Sequence, residues 1–425
     1  MASAPREVAC DLAIVGAGIA GLSAALFAAN RGIDTVLVGE TGEILFASGL
    51  MDLLAIHPLQ EGRVWDDPWA AIEALRRDIP DHPYARVKRP DIEAAFDRLL
   101  GFLAAQGLPY RRRTGRNVEV LTTMGSVKRT YCVPETAWAG VRAMEEKPPC
   151  LLVDFDQLRG FSARQIASAL EPRWPGLRTA RIPFPGSTRI QYAEQLAQAL
   201  EAPGNRESLA DDIRACLGTA RSVGLPAVLG LYRTGMVFED LQNRIGVDLF
   251  EIPTLPPSVA GLRLRDAFHR GLVEMGVRLF PHHRVTTARC EQKNNFVLDI
   301  TAPDGGQTIH AGALLLASGR FLGGGLRGDR NGIRETLLDL PVHQPEERAA
   351  WHRQDFLDPR GHPITEAGLI TDNRFRPLTG GGDPVHERLF AAGSVLAHQN
   401  WMRSKCGVGL SVATAYGAVN AYHCC

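Results

Sequence analysis

At 425 residues, with 45% hydrophobic and 22% charged side chains, the chain is long enough for more than one domain, and its composition excludes a disordered or fibrous protein. Its 47 Lys+Arg balance 47 Asp+Glu, so no overall field recruits nucleic acid or an anionic membrane. Eight cysteines, at positions 10, 132, 150, 216, 290, 406, 424 and 425, lack CxxC or zinc-type spacing, which argues for reduced thiols in the cytoplasm and against iron–sulfur, zinc or other metal sites.

The first element is "LAIVGAGIAGLSAALFAA" (Leu12 to Ala29). It is uncharged over the length of a minimal transmembrane candidate, about 18 residues. Its glycines decide otherwise. Gly16, Gly18 and Gly21 fall where an apolar strand should turn into a helix, Asp11 precedes the run, and there is no basic leader or small-residue cleavage site. With the second strand "DTVLV" this makes a GxGxxG unit in full context. Gly16 permits the tight turn, Gly18 lets backbone approach a phosphate, and Gly21 lets the helix pack on the strand. An acid normally follows roughly 20 residues beyond the turn to hold an adenosine ribose. Here that place holds Gly39, with Glu40 one residue later and on the opposite face of an extended chain.

Next comes "FASGLMDLL". Ser48 and Gly49 either present a hydroxyl and backbone N–H groups to a flavin ring edge, or start a helix capped by Ser48. Met51, Leu53 and Leu54 read as core. Through the middle, "CLLVDFDQL", "GLRTARIPF" and "PAVLGLY" read as strands, separated by helical "SARQIASALEP" and "ESLADDIRACLGTA". From "LRLRDAFHRGLVEMGVRLF" a helix leads into a strand, then a hairpin region ("RVTTARCEQKNNFVLDITAPDGGQTIHA"), then the apolar strand "ALLLAS".

After it, "LLLASGRFLGGGLRGDRNGIRE" sets Gly319 and Gly323, Gly324 and Gly325 in a loop whose backbone must pass close to something. Arg320, Arg327, Arg330 and Arg334 offer charge for a phosphate or carboxylate, or pair with Asp329 and Glu335. Near the end, "LFAAGSVL" has the form of a second flavin-contacting motif, with Gly393 followed by Ser394 where an acid usually grips the ribityl chain. "CGVGL" then places Gly407 and Gly409 at a helix start, where N–H groups and the helix dipole face a flavin N1–C2=O edge. The expected fold is α/β: a Rossmann-like flavin-binding domain from residues 1–60 and 246–425, with residues 61–245 as an inserted α/β cap or partner-docking domain.

"GAGIAGL", "FASGLMDLL", "PTLPPSVAGLRL", "ASGRFLGGGL", "RNGIRE" and "LFAAGSVL" together resemble the B subunits of anaerobic glycerol-3-phosphate dehydrogenases, flavoproteins of the FAD-dependent oxidoreductase and fumarate reductase-like superfamily. The likeness spans both ends; residues 60–245 match only in layout. It implies an FMN-carrying flavoprotein subunit, FAD not being excluded, paired with a homologous catalytic A subunit that holds FAD. It also implies a membrane-anchoring iron–sulfur C subunit, so that the chain lies in the cytoplasm, peripheral to the membrane. The complex then oxidises sn-glycerol 3-phosphate to dihydroxyacetone phosphate and reduces menaquinone, with fumarate or nitrate as terminal acceptor. Carried onto this chain, Gly16, Gly18 and Gly21 meet the flavin phosphate, Ser48, Gly49 and Gly323 to Gly325 the ring, and Gly393 and Ser394 the ribityl chain. The chain departs from the family pattern in "AHQNWMRSKCGVGL", where Trp401, Met402, Arg403 and Lys405 replace a smaller, more glycine-rich stretch; His398 and Arg403 there are either substrate-facing or merely packed.

Alcohol oxidation by a flavin requires a base, a cation for the phosphate, and the C2 hydrogen set against N5. No spacing in the chain identifies a base, so the catalytic residues are unassigned. Electron relay needs only a buried, tuned flavin. Alcohol oxidation is therefore expected in the partner and relay in this chain, and without an acid at position 39 the relay flavin is expected to be FMN. Two rivals stand beside this. One is a standalone FAD oxidoreductase of the fumarate reductase or succinate dehydrogenase type. The other is a low-turnover flavin-binding assembly subunit docking through the basic run Arg111–Arg113 and Arg116.

Overall fold

The computed structural model describes residues 6–39, 42–186, 189, 192–292, 295–302 and 305–423. In chain order, β1 (Arg6–Val15), α1 (Ile19–Ala29) and β2 (Thr35–Gly39) come first. The middle contains β3 (Cys150–Phe155), β4 (Leu177–Ile182), β5 (Ser222–Pro226) and β6 (Asp248–Ile252), followed by α2 (Val259–Glu274). Then come β7 (Arg278–Pro281), β8 (Arg284–Gln292), β9 (Asn295–Ala302), β10 (Gly305–Leu316), β11 (Leu389–Ala391) and α3 (Gly407–His423). Two compact units result, one of residues 1–43, 52–100 and 268–425, the other of residues 44–51 and 101–267.

The first unit is built on a seven-stranded sheet ordered β7-β2-β1-β10-β9-β8, with β11 added alongside the end of β10. β7, β2, β1, β10 and β11 are mutually parallel, whereas β8, β9 and β10 are antiparallel. Strand β10 serves two neighbours in turn: residues 305–311 pair with β9, and Leu314–Leu316 pair with Leu389–Ala391 of β11. The parallel strands are continuous apolar runs because both faces are covered, and Leu12, Ile14, Val36, Val38, Leu314 and Phe390 are fully buried. The outer strand β8 is mostly exposed, carries Arg284 and Arg289, and is interrupted by two register shifts, which discourages further strand pairing. Helix α1 is buried from Ala20 to Ala28, so uncharged and mostly apolar side chains occupy its whole circumference, and it packs on α3 with Phe27 edge-on to Tyr416 at 5.2 Å. The apolar stretch from Leu12 is thus a strand, a turn and a helix. Among the described residues no helix is long and apolar enough to cross a membrane.

The second unit holds a four-stranded parallel sheet, β6-β5-β3-β4, flanked by helices that include Glu135–Glu146, Pro203–Leu217 and Thr234–Ile245. Expected strands at "CLLVDFDQL" and "GLRTARIPF" coincide with β3 and β4. At "PAVLGLY" the outcome differs, because β5 is "SVGLP" and stops at Pro226. Beyond it the chain turns, with Gly230 at φ +76, and the Leu229 N–H is given to the Glu251 carboxylate at 2.7 Å instead of to a strand neighbour.

Glu251 lies in β6 and is buried, and its oxygens take a bidentate ion pair from Arg263 of α2, at 2.7 and 2.9 Å, together with the Thr136 hydroxyl at 2.7 Å. Arg263 spends its remaining Nε on the Gly230 C=O at 2.9 Å. Every polar contact of the pair is made inside the unit, which is the condition under which a buried ion pair is tolerated. The motif "PTLPPSVAGLRL" now has a physical reading. The Ser258 hydroxyl accepts the Gly261 N–H at 2.9 Å and donates to the Ala47 C=O, closing the start of α2. At Gly261 a Cβ would stand 2.4 Å from the Ile44 carbonyl oxygen, so only glycine allows that backbone approach.

Burial pushes the Glu251 carboxyl up, but Arg263 and the hydrogen bonds win and hold it below its ordinary range. A depressed carboxylate contributes stability above its unfolded-state pKa and loses it as pH falls through the folded value. Arg263→Ala should therefore lower the stability of the complete chain by about 3–5 kcal/mol near neutral pH. The deficit relative to wild type should shrink in acid, where Glu251 is protonated; equal deficits at neutral and acid pH in denaturant titrations would refute the role of the pair.

Candidate functional site

The turn after β1 is shaped by backbone crossing backbone. Gly16 adopts φ +110, and a Cβ there would lie 2.2 Å from the Ala317 carbonyl oxygen. At Gly21 a Cβ would lie 1.8 Å from the Gly16 oxygen, so the helix can start here only without side chains at both positions. Gly18 caps α1 in an extended conformation and offers no side-chain acceptor, and no acidic residue stands in the first turn. The N–H groups of Ile19, Ala20 and Gly21 consequently find no acceptor among the described residues. Unpaired N–H groups and the positive end of an eleven-residue helix constitute a site for negative charge.

Gly39 closes the other side of this turn. It ends β2 at φ +154, and a Cβ there would be 2.8 Å from the Ala17 nitrogen. Position 39 thus has no room for the side chain of an acid. Glu40 lies outside the described residues.

Beside the turn, β10 delivers Ala317, Ser318 and Gly319. The Ser318 Oγ is buried and has no hydrogen-bond partner among the described residues. Gly325 folds back on it, since a Cβ at 325 would stand 2.3 Å from the Gly319 oxygen and 2.5 Å from the Ser318 Oγ. Gly323 is exposed, and Gly324, at φ +78, faces open space. Arg320 points elsewhere: its Nη atoms donate to the carbonyls of Thr365, Leu396 (3.2 Å) and Gln399 (2.8 Å), stapling the glycine loop to the segment after β11. Burial lowers its pKa to about 10, Glu366 opposing, so it stays charged at neutral pH. Arg327 and Arg330 are exposed and Arg334 pairs with Asp329 at 3.3 Å, so the four arginines do not act as one cluster.

Gly393, at φ +79, packs against α1; a Cβ on it would be 2.5 Å from the Ala20 Cβ. Its N–H is held by the Thr414 hydroxyl of α3 at 2.9 Å. Ser394 follows, half-buried, its hydroxyl without a partner among the described residues. Gly407 opens α3 against the Trp401 ring, whereas Gly409 gives its N–H to the Asp52 C=O at 2.7 Å and leaves no space between itself, Leu53 and the Tyr84 hydroxyl. The structure therefore brings Gly16, Gly18, Gly21, Gly319, Gly325, Gly393 and Ser394 around the first turn of α1, with Gly407 and Gly409 at the head of α3.

Ser48 and Gly49 belong to the second unit. No helix starts at Ser48; its hydroxyl accepts the Leu50 N–H at 3.4 Å, and Gly49, at φ +79, is buried against Ala260. Two members of the basic run are paired in that same unit: Arg111 with Glu135 and Arg113 with Glu145, and both guanidinium groups lie over Trp138, while Arg116 is exposed.

Thr414, Tyr84 and Arg320 carry structural duties around the cradle that sequence reading missed or left open. Thr414 and Tyr84 have no signal in the sequence, because each acts across a separation visible only once the chain is folded. Burial pushes the Tyr84 hydroxyl and the Cys406 thiol far above their ordinary ranges, which leaves both neutral.

Residues 11–410 match the model of the FAD binding domain family. The B subunit of a probable anaerobic glycerol-3-phosphate dehydrogenase from Halobacterium salinarum is 32% identical, the alignment covering 97% of each chain. The B subunit of the anaerobic glycerol-3-phosphate dehydrogenase of Yersinia pseudotuberculosis is 28% identical over 95% of this chain and 96% of the relative. Among solved structures, the 3-ketosteroid delta1-dehydrogenase of Sterolibacterium denitrificans aligns with a TM-score of 0.45 at 11% identity, over 98% of this chain and 99% of the other. The family match indicates a flavin cofactor.

Gly21→Ala should produce a chain that purifies with little or no flavin, because its methyl group cannot coexist with the Gly16 carbonyl. Retained visible flavin absorbance at wild-type stoichiometry would contradict the geometry of the turn.

Proposed function

The chain belongs to the FAD binding domain family and, within it, to the B subunits of anaerobic glycerol-3-phosphate dehydrogenase, and from that premise we propose that it is the electron-relaying flavoprotein of such a complex. The complex oxidises sn-glycerol 3-phosphate to dihydroxyacetone phosphate. In this reading a homologous, FAD-bearing A subunit performs the alcohol oxidation. The electrons then cross this chain to a membrane-anchoring iron–sulfur C subunit and on to menaquinone, with fumarate or nitrate as the final acceptor. The chain itself is cytoplasmic and touches the membrane only through its partners.

The observation that carries the proposal is the α1 cradle. Three unclaimed N–H groups, the helix dipole and the unpartnered Ser318 hydroxyl fit a flavin's phosphate, and the glycines at 16, 21, 319, 325 and 393 keep side chains out of the space. Bound there, the flavin would supply reversible two-electron chemistry. The residues of the chain position it, exclude water and leave Ser394 free to bond the ribityl chain. We read Gly39, closed against the turn, as support for FMN, since the usual ribose-binding acid has no place there.

Reconstituting the complex and assaying it with glycerol 3-phosphate and a dye acceptor tests the division of labour. Activity is expected in the complex and absent from the isolated chain. Turnover by the isolated chain would overturn the relay assignment, and an inactive complex would overturn the family-based function.

A further inference from the structure

With Arg320 turned inward, the other three arginines of the glycine-rich stretch stand on one two-stranded hairpin, Leu326–Gly328 paired antiparallel with Ile333–Glu335. Side chains alternate between its two faces. Leu326, Ile333 and Glu335 are buried on the inner face, where the Glu335 carboxylate accepts the Leu337 and Leu338 N–H groups at 2.9 and 2.7 Å and fixes the base of the hairpin. Arg327 and Arg334 therefore stand on the outer face, and the register sets them directly opposite each other. Like charges placed in this way destabilise a strand pair. Asp329 relieves Arg334 at 3.3 Å, whereas Arg327 and Arg330, both exposed, make no ion pair among the described residues. The charge these two leave unmatched is complementary to an anionic surface outside the chain.

The same hairpin joins two apolar loop tips. A Cβ at Gly328 would lie 3.3 Å from the Trp351 ring and 3.9 Å from the Phe321 ring, so both rings meet at this one position. Phe321 leads directly into Leu322. Trp351 opens a loop that closes on itself, its C=O accepting the Ile364 N–H at 3.1 Å. Within that loop His362 accepts the Arg353 N–H at Nδ1 (3.0 Å) and so donates from Nε2 to the Phe356 C=O (3.0 Å). The braced loop presents Phe356 and Leu357. Phe356, at 85%, and Leu322, at 82%, are the two most exposed large hydrophobic side chains among the described residues, and Leu357 is 78% exposed. A single exposed apolar side chain needs no explanation, but three on two loops that meet at Gly328, beside unmatched arginines, have the composition of an interaction surface.

We propose that Leu322, Phe356 and Leu357, together with Arg327, Arg330 and Arg334, form the docking surface for the FAD-bearing A subunit, whose matching face carries carboxylates around an apolar hollow. The inference rests on the relay reading above. Charge selects against a second copy of the chain, because a two-fold contact on this face would set arginines against arginines. Exposure this large and this apolar calls for lasting cover, as in permanent assemblies, and the A subunit is the paired partner in that reading. The Leu322 loop also leaves the cradle at Ser318, so the surface begins where the proposed cofactor site ends.

Surface plasmon resonance of the flavin-loaded chain over immobilised A subunit tests the surface. Wild type should bind, and more weakly as salt rises. The double variant Arg327→Glu, Arg330→Glu should weaken binding about tenfold or more, and so should Leu322→Asp. Both should keep their flavin, and the double variant should unfold at no lower temperature than wild type, since Glu at position 327 replaces a repulsion across the hairpin with an attraction. Wild-type affinity in both variants would overturn the proposal and leave the relay reading standing; failure of the wild-type chain to bind the A subunit would overturn both. Vesicles of phosphatidylethanolamine and phosphatidylglycerol serve as the competing surface. If the wild-type chain binds them, and both variants lose that binding while holding the A subunit as tightly as before, the surface belongs to a membrane and the proposal falls.

Discussion

The first unit depends on a steric constraint at one point, where β1 ends and α1 begins. The carbonyl of Gly16 passes so close to Gly21, and that of Ala317 so close to Gly16, that a single methyl group at either glycine has no volume to occupy. Because the backbones meet there, β1 can lie between β2 and β10 in parallel register while α1 starts directly over the sheet. Because the same crossing consumes no N–H of the first helical turn, those groups remain available for charge. Packing and ligand chemistry thus share one cause, the absence of side chains. The surrounding devices reinforce it: Thr414 fixes Gly393 against the helix, and Arg320 ties the glycine loop to the segment beyond β11.

The second unit is organised by a different kind of contact. Glu251 and Arg263 lie twelve residues apart on a strand and a helix, and their pairing also serves Thr136, Leu229 and Gly230. Removing one partner leaves a buried charge unsatisfied, so the pair fixes the relation of β6 to α2 more strictly than apolar packing would. It also explains why β5 goes no further than Pro226, since the Leu229 N–H is taken by the carboxylate.

Much of this was legible in the sequence, for physical reasons. GxGxxG between two apolar strands reads clearly because each glycine has a separate steric duty within a few residues. The strands β3, β4 and β10 and the helix α3 likewise follow from local pattern. Contacts made across long separations were not legible. Nothing in "DHPYAR" announces that His82 will be buried with an unmet donor, or that Tyr84 will abut Gly409. The arginines after β10 look like one cluster in sequence, yet Arg320 turns inward to three carbonyls while Arg327 and Arg330 face solvent. Ser48 fits a helix cap by residue type, but the chain makes a turn at Gly49 instead.

The family, the fold and the oxidoreductase class follow from the relatives and the sheet topology; the identity of the flavin turns on the α1 cradle and on Gly39. Phosphorus NMR of the flavin-loaded chain tests this directly. FMN held by the N–H groups of α1 gives one phosphomonoester resonance, displaced from its free position and returned to it by Gly21→Ala as the flavin is released. A pair of coupled pyrophosphate resonances would show FAD and contradict the reading of position 39. A single resonance at the free position in the loaded chain would place the phosphate away from the helix.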